Sequence, residues 1–449
     1  MTHAMSGRDH HSFVLQTLSP VQVTGVPPSD HPVPEYRPAP ADQQGNPSPA
    51  GRNDGAGAGP RVLLVAPQPF FALRGTPMNV KQMATVLGEA GYRVHLATFA
   101  MGEPVEIPGV HHHRAMPIPG AEDVPIGFSG SKLVNDAALA LLVTRLLLTY
   151  RFALAHAVEE SVFFTLPLAR IRRVPVIFDL DSSISEQLEY SGSIRNQRVL
   201  RTVRALEKAA LRRSSLALTV CLSLTEKVRE LAPATPIAQI EDCPQPGAAR
   251  PPDLVRVDAL RAEWNPERRP LAVYTGNFAP YQGLDLLFGS LKYTREVCPD
   301  FRLLVVGGSD EEIARTRTAL ALDGVADLVV FTGRQPPEDM ADYLALGDTL
   351  VSPRSEGTNT PLKLYDYMAA GKPIVATALP THTQVLDDTT AILVEPNPES
   401  YGRALGRALG DVRSYHDLGV AAQYRVNREY SREAFARKLL EAYRRLLAG

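Results

Sequence analysis

The most informative polar loop of the chain lies within the segment from Ser352 to Thr377. The segment begins as an apolar strand and continues through a small polar loop into a helix. We expect the helix to open near Pro361, because proline is preorganised for a first helical turn. The loop residues at the start of this helix are Gly357, Thr358, Asn359 and Thr360. Their backbone N–H groups and hydroxyls predict a phosphate site, since free donors and the helix dipole attract anions.

Charged side chains flank the same loop. Arg354 and Lys363 add fixed positive charge that suits a phosphate group. Asp366 lies one turn further into the helix, where it is a poor neighbour for phosphate but a good acceptor for sugar hydroxyls. The segment therefore predicts a nucleotide site. The alternative is an ordinary strand-loop-helix unit with a Thr/Asn cap.

Two other loops carry candidate ligand-binding groups. Gly75 and Thr76 open a helix after the first predicted strand, and form either a second phosphate-facing terminus or only a turn that starts the helix. His156, Glu159 and Glu160 follow a later strand, and we expect them to face the ligand and orient an acceptor. The alternative is that the two glutamates stabilise the start of the next helix through its dipole.

Histidines occur in two further places. The run His111–His113 resembles a metal-binding tract, but no cysteine or acidic residue lies at ligand spacing. We therefore predict a solvent loop there and no metal site. His382 lies in another loop that enters a helix, and it is a weaker site candidate.

The elements that must position these residues alternate between strands and helices. The first series has strands over 61–66, 92–98, 153–156, 174–179 and 215–220, with helices over 76–91, 131–151, 160–172 and 192–213. The second has strands over 271–276, 301–307, 328–332, 349–352, 373–376 and 391–394. Such alternation predicts an α/β fold of parallel sheets with helices on both faces.

Composition divides the chain into segments. Residues 1–60 are rich in proline and polar residues and predict a disordered tail. Residues 243–252 are dense in proline and glycine and predict a linker. The linker separates a first domain over 61–245 from a second over 253–430. Because ligands bind at the carboxyl ends of parallel strands, we expect the site in the cleft between the domains.

Bulk properties exclude several classes of protein. The chain has 449 residues and a net charge of −2, without the basic excess of most nucleic-acid-binding proteins. It contains no uninterrupted apolar run of about 18 residues, which argues against a spanning helix. Its three cysteines are far apart, which predicts reduced thiols in a cytoplasmic protein. The N-terminus also lacks the pattern of a signal peptide.

The predicted helix over 192–213 carries a basic stripe. Its members recur every three or four residues: Arg195, Arg198, Arg201, Arg204, Lys208 and Arg212. Such a helix can rest on an anionic membrane surface, which would place the protein peripherally at the inner face of a membrane. The alternative, which we favour on the sequence, is a solvated helix face.

The segment from Ser352 to Thr377 resembles the donor-sugar signature of the GT-B glycosyltransferases of family 4. The resemblance extends in the right order to Arg74–Pro77, Tyr274–Leu287, Val330–Arg334 and Tyr430–Arg444. It covers about residues 61–449. It implies two Rossmann-like doubly wound domains facing a central cleft, the first completed by a C-terminal helix over 431–449.

The resemblance also implies a reaction. A hexosyl unit would pass from a nucleotide-diphosphate sugar, such as a UDP- or GDP-hexose, to a hydroxyl of a glycan, lipid-linked or small-molecule acceptor. The anomeric configuration would be retained and no metal or other cofactor would be required. The donor's own phosphate oxygen would deprotonate the acceptor hydroxyl, and the protein would position the reactants and stabilise the departing diphosphate.

Site residues follow from the matching positions. The catalytic group would comprise Asp181, Thr358 and Lys363. The donor-binding residues would be Gly276, Asn277, Gln282, Arg334, Arg354, Gly357, Thr358, Asn359, Thr360, Pro361, Leu362, Lys363 and Asp366. The acceptor and phosphate side would comprise Gly75, Thr76, His156 and Glu159.

The chain departs from the family pattern at three points. Thr358 and Asp366 stand where the family usually has its two signature glutamates. Gln282 stands where a lysine is expected after the first strand of the second domain, and Asp181 stands in place of a histidine. These departures keep two rivals open, a nucleotide-sugar epimerase of the same fold and an inactive binding protein. A nicotinamide dehydrogenase is disfavoured, because no Gly-x-Gly-x-x-Gly follows the first strand of either domain.

Overall fold

The computed structural model describes residues 59–72, 75–122, 124, 129–190 and 196–448. The predicted tail, apart from its last two residues, lies outside the described residues. So do Arg74 of the Arg74–Pro77 segment and Arg195 of the basic stripe.

A parallel sheet of seven strands forms the first half of the fold. Its strands are β1 (Arg61–Val65), β2 (Arg93–Thr98), β3 (Val110–Arg114), β4 (Leu154–Val158), β5 (Val176–Leu180), β6 (Leu216–Thr219) and β7 (Ile237–Gln239), in the spatial order β3-β2-β1-β4-β5-β6-β7. The central strands are apolar on both faces, as expected for strands covered on both sides. The order reverses between β1 and β4, which opens a crevice at the carboxyl ends.

The helices of this half are α1 (Gly75–Glu89), α2 (Gly130–Thr149), α3 (Val162–Ile171), α4 (Ile184–Tyr190), α5 (Gln197–Arg213) and α6 (Leu222–Leu231). One sheet face packs on α1, and the other packs on α2, α3, α5 and α6. A short 3-10 turn, Glu159–Ser161, links β4 to α3.

The second half contains a parallel sheet of six strands. Its strands are β8 (Leu271–Thr275), β9 (Arg302–Val306), β10 (Val329–Gly333), β11 (Thr349–Ser352), β12 (Ile374–Thr377) and β13 (Ile392–Val394), in the spatial order β10-β9-β8-β11-β12-β13. The order again reverses at the first strand, between β8 and β11. The crevice of this sheet therefore lies at the end of β11, where the polar loop begins.

The remaining helices surround the second sheet, except the last. They are α7 (Pro246–Ala249), α8 (Leu254–Trp264), α9 (Leu284–Val297), α10 (Asp310–Leu322), α11 (Met340–Leu346), α12 (Leu362–Ala369), α13 (Pro380–Thr383), α14 (Pro398–Gly410), α15 (Val412–Glu429) and α16 (Arg432–Ala448). Helix α16 crosses to the first half, where Phe435, Leu439 and Tyr443 join the core beside α1.

This architecture confirms the predicted fold class of two Rossmann-like doubly wound sheets. One local prediction was wrong, and several short elements were not predicted. The run His111–His113 lies in edge strand β3, not in a solvent loop. Strand β7 was missed because its three residues carry almost no pattern, and the linker 243–252 contains the short helix α7. Within the described residues, no helix is long and apolar enough to cross a membrane.

Candidate active site

The polar loop leaves β11 beside the central strand of the second sheet. Pro361 is extended, with ψ of 130°, and α12 begins one residue later at Leu362. Gly357 has a φ of +103°, in the region that favours glycine, and a Cβ there would lie 2.6 Å from the Arg354 guanidinium. Glycine at this position therefore lets the loop close over the arginine.

Arg354 is buried beneath the loop and is held by neutral oxygens. Its guanidinium donates to the Glu356 carbonyl at 2.8 Å and to Asn359 Oδ1 at 2.8 Å, and lies over the Tyr281 ring. Burial lowers the pKa of Arg354 from its ordinary value. Within the described residues it makes no ion pair with a carboxylate.

Lys363 lies in the first turn of α12 and is partly buried. Its Nζ donates to Gln282 Oε1 at 3.0 Å and sits 4.0 Å from the centre of the Tyr274 ring. A Cβ on Gly276 would lie 3.4 Å from the same Nζ. Burial, and then the charge of Arg354, hold the pKa of Lys363 well below its ordinary value. Two cations thus stand at one helix start without an acidic partner among the described residues.

Asp366 faces the joint between the two halves. One carboxylate oxygen accepts a hydrogen bond from the Gln245 backbone N–H at 2.8 Å. Burial raises the pKa of Asp366 to about 7, and the bond from Gln245 opposes that shift.

The polar loop also contacts the first half across the cleft. Thr358 Oγ1 donates to Glu186 Oε2 at 3.3 Å, and Asn359 Nδ2 donates to the Asp181 carbonyl at 3.3 Å. Gln384 bridges the same gap, since it accepts from the Ser223 backbone N–H and donates to the Thr358 carbonyl. Sequence reasoning missed Glu186, Ser223 and Gln384, because each meets its partner only through the packing of the two halves.

Opposite the loop, acidic side chains lie at the ends of β4 and β5. Asp181 accepts from Asn79 Nδ2 at 3.3 Å, and Glu159 accepts from Gln68 Nε2 at 3.4 Å and Ser182 Oγ at 3.1 Å. Glu159 adopts a φ of 48°, which is rare for a residue with a Cβ and recurs at functional sites.

Burial and mutual repulsion shift both carboxyls. Burial, and then the Glu160 charge, raise the pKa of Glu159 to about 7. Burial, followed by the charges of Asp179 and Glu159, raises the pKa of Asp181 well above its ordinary value. A hydrogen bond from Thr76, in the first turn of α1, opposes the shift of Asp181. The first half thus presents an acidic wall to a basic loop on the second.

Two sequence profiles match the halves separately. The profile of the glycosyl transferase 4-like domain matches residues 74–243, and the profile of glycosyl transferases group 1 matches residues 269–411. Together they span well over half of the chain, in the order of the two sheets.

The chain belongs to family 4 of the glycosyltransferases. It is therefore a hexosyltransferase of GT-B architecture that uses a nucleotide-sugar donor. Relatives along its length include a phosphatidyl-myo-inositol mannosyltransferase of Mycobacterium leprae, 25% identical over 85% of this chain and 96% of the relative. A 2-deoxystreptamine N-acetyl-D-glucosaminyltransferase of Streptomyces fradiae is 26% identical over 84% of this chain and 92% of the relative.

Solved structures share the fold of this glycosyltransferase. Sucrose-phosphate synthase from Thermosynechococcus elongatus superposes with a TM-score of 0.72 at 20% identity, over 87% of this chain and 99% of that one. The Anabaena HepE protein in complex with UDP-glucose superposes with a TM-score of 0.68 at 15% identity, over 86% of this chain and 99% of that one.

The other predicted site residues of the glycosyltransferase have varied surroundings. Arg334 is exposed at the end of β10, two strands from β8. Asn277 is exposed, and its carbonyl accepts the Tyr274 hydroxyl. Thr360 is buried with no partner for its hydroxyl among the described residues. Gly75 is the first residue of α1, and among the described residues no atom lies within 4 Å of the place where its Cβ would stand.

His156 does not face the cleft as predicted. It is fully buried in β4, and its ring nitrogens bond to Asp179 Oδ2 at 2.9 Å and to the Tyr443 hydroxyl at 2.6 Å. The apolar sequence of β4 gives no indication that the His156 side chain points into the core. His156 is therefore a buried hydrogen-bond partner of Asp179, behind the acidic wall.

The remaining histidine and glutamate candidates have structural partners. His382 is buried between Ser352 and Thr377 and bonds to both. Glu160 forms an ion pair with Lys132 on α2. Within the described residues, no group of histidine, cysteine and acidic side chains has the geometry to hold a metal ion.

Proposed function

We propose that this glycosyltransferase moves a hexosyl unit from a UDP- or GDP-hexose to a hydroxyl of an acceptor, with retention of the anomeric configuration. The observation that carries the proposal is the pair Arg354 and Lys363, two cations near the start of α12 without a carboxylate partner among the described residues. Removing a cation from water costs several kcal/mol unless an anion compensates. A diphosphate would supply that anion, with the helix dipole of α12 adding to it.

The other residues would then contact different parts of the donor. Asp366 would accept hydrogen bonds from the ribose, as acidic residues do in other nucleotide sites. The polar loop at Gly357–Thr360 would contact the diphosphate and the hexose, and Gln282 would hold Lys363 in place. Lys363 would therefore supply, from α12, the charge that the family usually places on the loop after the first strand of the second domain.

Asp181 and Thr358 would lie beside the reacting centre, since Asp181 meets the neighbouring Asn359 across the cleft. In the reaction we propose, the bond from the anomeric carbon to the diphosphate breaks as the acceptor oxygen bonds to the same face of that carbon. A diphosphate oxygen takes the acceptor's proton. The protein contributes position and charge stabilisation, each of which can supply several kcal/mol of barrier reduction.

The acceptor would be held by the acidic wall of the first half. Relatives are named for acceptors as different as phosphatidyl-myo-inositol and 2-deoxystreptamine, both of which present ring hydroxyls. A polyhydroxylated ring in a glycan, a lipid-linked acceptor or a small molecule is consistent with the Glu159 carboxylate and with the amide oxygens of Gln68 and Asn79, which have no partner among the described residues.

We also propose that α5 contacts an anionic membrane surface. Arg198 and Arg201 are exposed on this helix, and Val199 and Leu206 are also exposed, by 40% and 52%. The acid of α5, Glu207, is buried and bonded to serines. Basic and apolar side chains on one exposed helix favour binding at an anionic lipid interface.

Calorimetry tests the donor proposal. UDP, GDP, ADP, UDP-glucose and GDP-mannose would be titrated into the full chain and into Asp366→Ala. We expect one nucleotide to bind in the micromolar range and more weakly to the variant. If none of them binds, the donor assignment is refuted, which favours either an inactive binding protein of the same fold or a donor site that forms only with the acceptor. Incubation of the donor alone, followed by NMR, separates transfer from epimerisation, and the anomeric coupling constant of a product reports retention.

A further inference from the structure

The acidic wall contains three buried carboxylates close to one another. Asp179 and Asp181 flank the end of β5, and Glu159 follows the adjacent β4, where Val158 pairs with Asp179. All three side chains are buried. We call Asp179, Asp181 and Glu159 the acid cluster.

Two buried amides face the acid cluster with their oxygens unused. Gln68 and Asn79 are only 8% and 5% exposed, and each donates its amide N–H to one carboxylate of the cluster. Among the described residues, Gln68 Oε1 and Asn79 Oδ1 have no hydrogen-bond partner, and neither has Asp179 Oδ1. Buried acceptors without donors cost free energy and are rare in native proteins. These three unused atoms are all acceptors, so a ligand that satisfies them must be rich in hydrogen-bond donors.

The charge of the acid cluster further restricts the chemical class of the ligand. The described basic groups beside it are each engaged, His156 with Asp179 and Lys132 with Glu160, while Arg74 lies outside the described residues. Repulsion among the carboxylates adds to burial in raising the pKa of Glu159 and Asp181. A cationic donor group would relieve this repulsion, whereas a phosphate would increase it.

The position of the cluster ties this ligand to the transfer reaction. The Asp181 carbonyl accepts a hydrogen bond from Asn359 of the polar loop, which we have assigned to the donor sugar. Glu159 is held next to it through Ser182 and adopts a left-handed backbone conformation that brings its carboxylate into the cluster. A ligand bound here lies beside the transferred hexose, where an acceptor must lie.

We propose that the acceptor is a polyhydroxylated ring that carries an ammonium group, as in an amino sugar or an aminocyclitol. The ammonium group would contact Glu159 and Asp181, and the hydroxyls of the ring would donate to the free amide oxygens of Gln68 and Asn79. This proposal rests on the proposed function, because it assigns the acceptor of that same reaction. It favours a cationic acceptor over a neutral or phosphate-bearing one.

The test compares acceptors with and without amines. Glucosamine has one amine in place of a glucose hydroxyl, whereas 2-deoxystreptamine has two amines in place of hydroxyls of myo-inositol and lacks one further hydroxyl. 2-Deoxystreptamine is compared with myo-inositol, and glucosamine with glucose, with myo-inositol 1-phosphate as the anionic probe. Each is titrated calorimetrically into the full chain saturated with whichever of UDP or GDP binds. We expect each amine to bind about tenfold or more tightly than its hydroxyl counterpart, the effect of one charged hydrogen bond. Product formation from the nucleotide sugar should follow the same order.

Variants separate the cluster from general effects of charge. Glu159→Gln keeps the shape and removes the charge, and we expect the preference for amine over hydroxyl to fall towards one. Glu263→Gln removes an exposed glutamate from α8 and should leave the preference unchanged. Nucleotide affinity of Glu159→Gln, measured in parallel, shows that the variant has folded.

The outcomes distinguish the two proposals. Equal or tighter binding of the neutral or phosphate-bearing probes overturns the cationic acceptor. The cationic acceptor is also overturned if a nucleotide binds and none of the amines binds or reacts. Failure of every nucleotide to bind instead overturns the donor assignment itself. A preference that survives intact in Glu159→Gln also removes the acid cluster as its source.

Discussion

Lys363 gives the sharpest prediction, because its removal should weaken nucleotide binding strongly and change the stability of the free protein little. In the free protein its ammonium is partly buried near Arg354, with a Gln282 oxygen and the Tyr274 ring as its only described polar or aromatic partners. In the donor complex the same charge would meet the diphosphate. Lys363→Met keeps most of the length of the side chain and removes the charge. It should therefore weaken nucleotide binding without destabilising the free protein.

The magnitudes follow from these contacts. A charge-assisted hydrogen bond to a phosphate contributes about 1.5–3 kcal/mol, so the variant should bind the nucleoside diphosphate about 10- to 100-fold more weakly. The free protein loses one hydrogen bond and one cation–π contact, each worth about 1 kcal/mol, but it escapes the desolvation of Lys363 and its repulsion with Arg354. We expect the free energy of unfolding to change by no more than about 1 kcal/mol in either direction.

The pH dependence has a definite sign. Because the pKa of Lys363 in the free protein is held well below its ordinary value, the unfolded chain binds more protons than the folded chain between those two pKa values. The stability contribution of this group therefore rises with pH in that window. Nucleotide affinity falls across the same window, since the diphosphate needs the protonated lysine. Both slopes should disappear in Lys363→Met.

Calorimetry with UDP and GDP, and urea denaturation of the free protein, measure the two effects. Lys292→Met, on the exposed face of α9, serves as the matched control and should change neither. Wild-type nucleotide affinity in Lys363→Met would refute the assignment of Lys363 to the diphosphate. A loss of several kcal/mol in stability would show instead that the lysine is a structural group.

Three further predictions concern other parts of the chain. Asp366→Asn should weaken nucleotide binding about tenfold. A 2′,3′-dideoxy nucleoside diphosphate should bind the wild type about tenfold more weakly than the normal nucleotide does, whereas the variant should bind both nucleotides equally. If the missing hydroxyls weaken binding to both proteins by the same factor, Asp366 does not contact the ribose. Arg198→Glu combined with Arg201→Glu should reduce cosedimentation with vesicles containing phosphatidylglycerol and leave pure phosphatidylcholine unaffected, and unchanged binding would restore the solvated-face interpretation. Tyr443→Phe should lower the free energy of unfolding by about 1–3 kcal/mol, because the buried histidine of β4 loses a hydrogen-bond partner, and an unaltered urea midpoint would contradict this role.

The sequence by itself determined the elements whose signals are local. Buried strands such as β1 and β8 are short apolar runs bounded by polar residues, and this pattern is legible without tertiary contacts. The polar loop at Gly357–Thr360 is equally local, since its glycine, hydroxyls and following helix start lie within a few residues of one another. Its likeness to the donor signature of family 4 was visible for the same reason.

Only the tertiary structure decided which polar groups form hydrogen bonds with one another across the two halves. Asp366 meets the Gln245 backbone, Thr358 meets Glu186, and neither pairing has a signal in sequence spacing, because each depends on how the two halves pack. The direction of His156 was invisible for a related reason. In a strand covered on both faces, apolar neighbours do not show whether a polar side chain points to the cleft or to the core. His156 has Tyr443 as a buried hydrogen-bond partner only because α16, nearly three hundred residues later in the chain, packs against the first half.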